Sequence, residues 1–122
     1  MSTKVLVVDD SGLARRRVRG ILEVAGYEVI EAEDGMSALE RYSVAKPALV
    51  LLDLVMKGMY GLDVLAKLRE MDPSARVIVV SADVQTSSHE MVEKGGAAGF
   101  LMKPVDADQV LALVRSTLEG AQ

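Results

Sequence analysis

Short apolar runs punctuate the chain at regular intervals. Val5–Val8, Leu49–Leu52, Val77–Val80 and Phe100–Met102 are continuous apolar runs, and Glu28–Ala32 is a weaker alternating one. Runs of this length, built mostly from Val, Leu and Ile, suit strands buried on both faces of a parallel sheet. Helical spacing fills the gaps. Ala14, Val18, Ile21, Leu22 and Ala25 share one face, with Gly26 as a stop. Leu62, Leu65 and Leu68 mark a second helix, closed by Asp72-Pro73. Met91 and Val92 belong to a less apolar one, closed by Gly95-Gly96, and Val110, Leu111, Val114 and Leu118 mark the last. Between the second and third strands a helix is expected from the alternation alone. Strand–helix alternation repeated five times predicts an α/β domain with a parallel sheet and helices on both faces.

The polar residues fall at one edge of that sheet. Asp9-Asp10 follow the first strand, Asp53 the third, Ser81 the fourth and Lys103 the fifth. In open α/β sheets the ligand crevice lies beyond the carboxyl ends of the strands, where the strand order reverses. Taken singly, each residue has a plainer role. Asp10 could cap the first helix, Ser81 could be a turn residue, and Lys103-Pro104 could be a solvated turn. Together they make a chemical set. Clustered aspartates repel, so one holds a proton unless a cation is present. Hard oxygen ligands with open positions suit Mg²⁺, which keeps its waters and accepts phosphate oxygens. A carboxylate is a competent nucleophile for phosphoryl transfer, a reaction that needs positioning and charge neutralisation above all.

Composition narrows the picture. With 122 residues, half of them hydrophobic and 26% charged, the chain suits one globular domain over 1–122. Aromatics are only 3%, so aliphatic residues and methionine must build the core. A net charge of −4 gives no push toward nucleic acid or anionic membrane. The absence of cysteine excludes disulfides, thiolate metal sites and a cysteine nucleophile, and fits the cytoplasm. No segment approaches a membrane span, and Met1-Ser2-Thr3-Lys4 leads into the first strand without a signal-peptide core.

The motifs Val-Val-Asp9-Asp10, Leu-Leu-Asp53-Leu-Val-Met, Val-Val-Ser81-Ala and Gly96-Ala-Ala-Gly-Phe100-Leu-Met-Lys103-Pro104, in this order and at these separations, resemble the receiver domain of two-component response regulators, of the chemotaxis-regulator kind. The resemblance runs from Lys4 to about Leu118. It implies a flavodoxin-like, doubly wound five-stranded parallel sheet of order 2-1-3-4-5. It implies that Asp53 accepts a phosphoryl group from a histidine kinase, a phosphotransfer protein or a small acyl phosphate. Asp10, the Asp53 side chain and the Val55 carbonyl would bind Mg²⁺, with Asp9 acting through water. Ser81 and Lys103 would contact the phosphoryl group, and the Lys103–Pro104 bond would be cis. Phe100 stands where the family carries a switch aromatic, although a Phe in a strand is more often simply core. Its turning inward would change the face of the fourth helix, fifth strand and fifth helix toward a downstream protein target. Such a domain is a signalling module with self-phosphorylation and dephosphorylation chemistry, not a conventional enzyme. It carries no direct nucleic-acid or membrane contact.

The sequence departs from the family pattern at Lys57, where Pro is usual, at Tyr60, where Asp or Asn is common, and at Val105, often aromatic. Val55 and Asp83 flank the expected path of attacking water, and only Asp83 could orient it. Arg15, Arg16, Arg17 and Arg19 read as a solvated helix face or as a dock for an acidic partner. His89, Ser87 and Ser88 read as surface residues, and the seven methionines as core filler. Two rival functions compete. Haloacid-dehalogenase-type phosphatases need a second acid two residues after the nucleophile, where Val55 stands. A phosphate-independent receiver acting as an interaction module usually loses part of the acidic and lysine set, which is complete here. If the natural chain ends at Gln122, output is expected through protein contact alone.

Overall fold

The computed structural model describes residues 2–56, 60–82 and 93–120. The expected strands are all present: β1 (Lys4–Val8), β2 (Glu28–Ala32), β3 (Leu49–Asp53), β4 (Val77–Ser81) and β5 (Gly99–Met102). They form one parallel sheet of order β2-β1-β3-β4-β5, the flavodoxin-like order. Among the described residues the helices are α1 (Gly12–Val24), α2 (Gly35–Ala45), α3 (Gly61–Met71) and, at the C-terminal end, α4 (Ala107–Glu119). Of the helix expected around Met91 and Val92, only Glu93 and Lys94 are described, and they are helical. Lys57, Asp83, Ser87, Ser88 and His89 lie outside the described residues. None of the described helices is long and apolar enough to cross a membrane.

Strand alternation divides the core in two. Leu6, Val8, Val50, Leu52, Val77 and Val79 point to one face, where they pack on Ala38 and Tyr42 of α2 and Val64, Leu65 and Leu68 of α3. Val5, Val7, Leu49, Leu51, Ile78, Val80 and Leu101 point to the other, against Val18 and Leu22 of α1 and Val110 and Val114 of α4. Every residue of β3 and β4 is buried, which explains why those runs read as continuous rather than alternating.

Local signals set the helix ends. Ser11, not Asp10, caps α1: its side chain accepts from the Ala14 N–H. The sequence left Asp10 open as a cap, and the structure gives that place to Ser11. Gly26, just beyond α1, takes φ +95°, a conformation that costs glycine nothing. The helix expected from alternation alone, α2, has a full capping box. Asp34 accepts from the Ser37 N–H at 2.8 Å, and the Ser37 hydroxyl accepts from the Asp34 N–H. Asp34→Ala is expected to cost about 1 kcal/mol, read by urea denaturation at neutral pH. Tyr42 of α2 donates to Asp72 at the end of α3, 2.8 Å away, tying the two helices together. Burial and that carboxylate push the Tyr42 phenol up to about 12.

Candidate functional site

The chain leaves β1 toward β2 on one side and returns to β3 on the other, so the crevice opens between the ends of β1 and β3. Val8 pairs with Leu52, which sets Asp9 beside Asp53. Asp53 and Ser81 are the last residues of their strands rather than the first residues after them. The ladder continues past the strand ends: the Leu54 N–H donates to the Val80 carbonyl at 3.1 Å, and the Lys103 N–H to the Ser81 carbonyl at 2.8 Å. These bonds bring Asp53, Ser81 and Lys103 to the same edge. The Lys103–Pro104 peptide bond is cis.

Asp9, Asp53 and Ser81 are buried, at 6%, 7% and 1% exposure, while Asp10 is exposed. One carboxylate oxygen from each of Asp9, Asp10 and Asp53 lies within 4.8 Å of the others. Three hard anionic donors in that space suit a small divalent cation. The Lys103 ammonium stands 2.9 Å from Asp9 Oδ2 and 3.5 Å from Asp53 Oδ2. Lys103 is therefore an ion-paired member of the site, not a solvated turn residue. Asp53 Oδ1 accepts weakly from the Val55 N–H at 3.4 Å. The Val55 side chain is exposed.

The charges do not balance. Burial pushes the Asp53 carboxyl up to about 6, Asp9 adds to the rise, and Lys103 opposes it. Burial by itself would lower the Lys103 ammonium, but the hydrogen bond to Asp9 and the charges of Asp53 and Asp9 hold it above its ordinary value. A site with two buried carboxylates, a third at its mouth and one shared ammonium is short of positive charge. A bound cation or a protonated Asp53 relieves that shortage.

The other expected residues fall as follows. Phe100 of β5 is half-buried against the face that carries α2 and α3. Tyr60 is the half-exposed residue preceding α3, and Val105 is buried. The basic run of α1 is only in part a solvated face: Arg16 and Arg17 are exposed, whereas Arg15 and Arg19 are half-buried. Arg15 and Arg19 both pair with Glu31 of β2, and Arg17 donates to the Val105 carbonyl at 3.0 Å. Sequence reading passed over two residues that shape the site. Glu31 is one. The other is Gly61, whose N–H donates to the Leu54 carbonyl at 2.7 Å. A Cβ there would meet the Leu54 Cα and carbonyl oxygen at 2.6 Å and the Asp53 carbonyl at 2.7 Å. A glycine opening a helix shortly after Asp53 was the available signal.

A sheet of this order with an aspartate cluster and a lysine at its switch point defines a receiver-type signalling domain, and the family model for the response regulator receiver domain matches residues 5–115. The chain belongs to that family. It is 38% identical to the chemotaxis protein CheY of Bacillus subtilis, over 97% of this chain and 99% of that protein. It is 41% identical to CheY of Listeria monocytogenes, over 88% and 92%. Among solved structures, a CheY-like receiver domain from Methanospirillum hungatei superposes with a TM-score of 0.94 at 26% identity, covering 99% of this chain and 97% of that one. CheY of Borrelia burgdorferi, solved in a CheX-CheY-BeF3-Mg complex, superposes at 0.89 with 33% identity, covering 93% and 87%.

Proposed function

We propose that the chain is a phosphorylation-controlled switch whose acceptor is Asp53. The observation that carries this reading is the setting of that carboxylate. It is buried at the end of a central strand, beside two further aspartates and 3.5 Å from an ammonium. The donor is a phosphohistidine on a kinase or phosphotransfer protein, or a small acyl phosphate. One Asp53 oxygen attacks phosphorus in line. The P–N bond, or the P–O bond of the acyl phosphate, breaks. Its electron pair leaves on the imidazole nitrogen or on the departing carboxylate, and the product is an aspartyl phosphate.

Mg²⁺, when bound, supplies charge neutralisation for the phosphoryl oxygens. Asp10, the Asp53 side chain and the Val55 carbonyl are the direct ligands in this reading. Asp9 acts through water, because Ser11 and Lys103 already engage its two oxygens. Lys103 pairs with the incoming phosphoryl group, and Ser81 donates a hydrogen bond to it. Phe100 reports the change. Its half-buried ring lies on β5, beside a groove shared with Met102, Gln109 and Leu113 that would receive a protein target. Asp83, if it orients attacking water, would set the lifetime of the phosphorylated state. Cytoplasmic residence belongs to the same proposal.

Incubation with acetyl phosphate and Mg²⁺, followed by intact-protein mass spectrometry, tests it. The wild type is expected to gain one phosphoryl group, and neither the Asp53→Asn variant nor wild type in chelator gains it. A wild-type chain that gains none, or an Asp53→Asn chain that still does, would leave the interaction-module alternative standing.

A further inference from the structure

We propose that Arg15 is a positioning residue for the acidic site, acting through Asp9, and that Glu31 holds it in place. The inference rests on reading Asp9, Asp10 and Asp53 as the Mg²⁺ site. Asp9 is bonded at every polar atom. Its N–H donates to the Ala32 carbonyl at 3.1 Å, and its Oδ1 accepts from the Ser11 N–H at 2.9 Å. Its Oδ2 accepts from Lys103 at 2.9 Å. Its carbonyl accepts from Arg15 Nη1 at 2.6 Å. The last bond is the one with no counterpart in the strand ladder, since β1 ends at Val8.

Helix geometry explains why Arg15 can reach it. Arg15 sits in the first turn of α1, where its own N–H donates to the Ser11 carbonyl at 3.0 Å. Side chains on a helix lean toward its N-terminus, so this one leans back over the β1–α1 loop. Its Nε meanwhile donates to Glu31 Oε1 at 3.0 Å, and Arg19 holds Glu31 Oε2 at 2.6 Å. The guanidinium fork therefore spans two fixed acceptors, a contact that a lysine ammonium cannot reproduce. Asp10 lies between Asp9 and Ser11, and both neighbours are pinned, so its backbone is constrained as well. The Arg15–Glu31 pair is neutral as a unit. It orders the loop without cancelling the negative charge that attracts a cation.

The sign of the charge effect makes this testable. If Arg15 mattered only as a charge, Arg15→Gln would tighten Mg²⁺ binding and the balanced double variant Arg15→Gln/Glu31→Gln would leave it unchanged. The positioning role predicts that the double variant and Arg15→Lys both weaken Mg²⁺ by about tenfold, as loss of supporting contacts around metal ligands commonly does. Titration calorimetry with Mg²⁺ alone reads this. A second measurement needs no metal. Amide hydrogen exchange at Ser11, whose N–H is held by Asp9, should quicken by about tenfold in the double variant while amides of β3 and β4 keep their protection. Wild-type Mg²⁺ affinity together with wild-type Ser11 exchange in the double variant would overturn the inference. So would equal loss of protection across the whole sheet, which marks a merely structural role. Failure of the wild type itself to bind Mg²⁺ would overturn the metal reading. The metal-free exchange at Ser11 would then still decide the part played by Arg15.

Discussion

Replacing Asp53 with Asn is expected to make the metal-free protein more stable at pH 7 by about 1–2 kcal/mol, while removing its phosphoryl acceptor. The cause is the buried charge. Desolvation first, then Asp9, pushes the Asp53 carboxyl up to about 6 in the folded chain, against the partial relief given by Lys103. In the unfolded chain the group returns to the ordinary range near 3.9. Below both values the carboxyl is protonated in either state and contributes nothing. Between them the folded chain binds more protons, so stability falls as pH rises from about 4 to about 6. Above both values the penalty is complete. At about 1.4 kcal/mol for each unit the ceiling is about 3 kcal/mol, and solvent reaching the crevice reduces it.

Other carboxylates act in the opposite sense on the acid side. The hydrogen bond from Arg19 holds Glu31 low, the backbone of Ser37 holds Asp34 low, and Ser74 and Tyr42 hold Asp72 low. What they contribute is lost as pH falls into and below the ordinary carboxylate range. Wild-type stability in chelator should therefore pass through a maximum near pH 4–5. Asp53→Asn should keep the acid limb and flatten the descent above it. Urea denaturation at steps from about pH 3 to pH 7 measures both limbs. Mg²⁺ should reverse the ranking: at about a hundredfold over its dissociation constant it adds about 2.7 kcal/mol to wild type and little to the variant. Wild-type stability that climbs steadily from pH 5 to pH 7 in chelator would refute the strained carboxylate.

Gly61→Ala is expected to cost about 3 kcal/mol, and to slow phosphorylation of whatever protein still folds. The new Cβ would fall 2.6–2.7 Å from backbone atoms of Asp53 and Leu54, not from a side chain that could swing away. Relief requires the start of α3 to move off the end of β3. That movement stretches the 2.7 Å bond from the Gly61 N–H to the Leu54 carbonyl and shifts the base from which Asp53 projects. The urea midpoint reads the stability, and the rate of adduct formation with acetyl phosphate reads the displacement. A loss below about 1 kcal/mol with a wild-type rate would mean that α3 does not brace the acceptor.

Much of the arrangement was legible in the chain because its causes are local. Val5–Val8 and Val77–Val80 read as strands since short runs of branched aliphatic residues bounded by polar ones have few other uses. Gly26 and Asp72-Pro73 marked helix ends through backbone conformations set within a few residues. Once five strands lie parallel, a polar residue at a strand end has one place to go, so their positions in the sequence suffice to put Asp9, Asp53, Ser81 and Lys103 on one edge.

The remainder belongs to tertiary structure, because it depends on distances between residues far apart in the chain. Lys103 meets Asp9 across 94 positions, and no local pattern says that it leans on Asp9 at 2.9 Å rather than on Asp53 at 3.5 Å. Arg15 and Arg19 looked like a solvated face until β2 placed Glu31 beneath them. Asp10 stood open as a cap or as a metal ligand, and the cap of α1 is Ser11. The need for a bare Cα at Gly61 comes from the backbone of Leu54 and Asp53, which a Cβ there would meet at 2.6–2.7 Å. The proton affinity of Asp53 is the clearest case. Its identity and its strand-end place come from the sequence, but desolvation and neighbouring charge exist only after the sheet has packed.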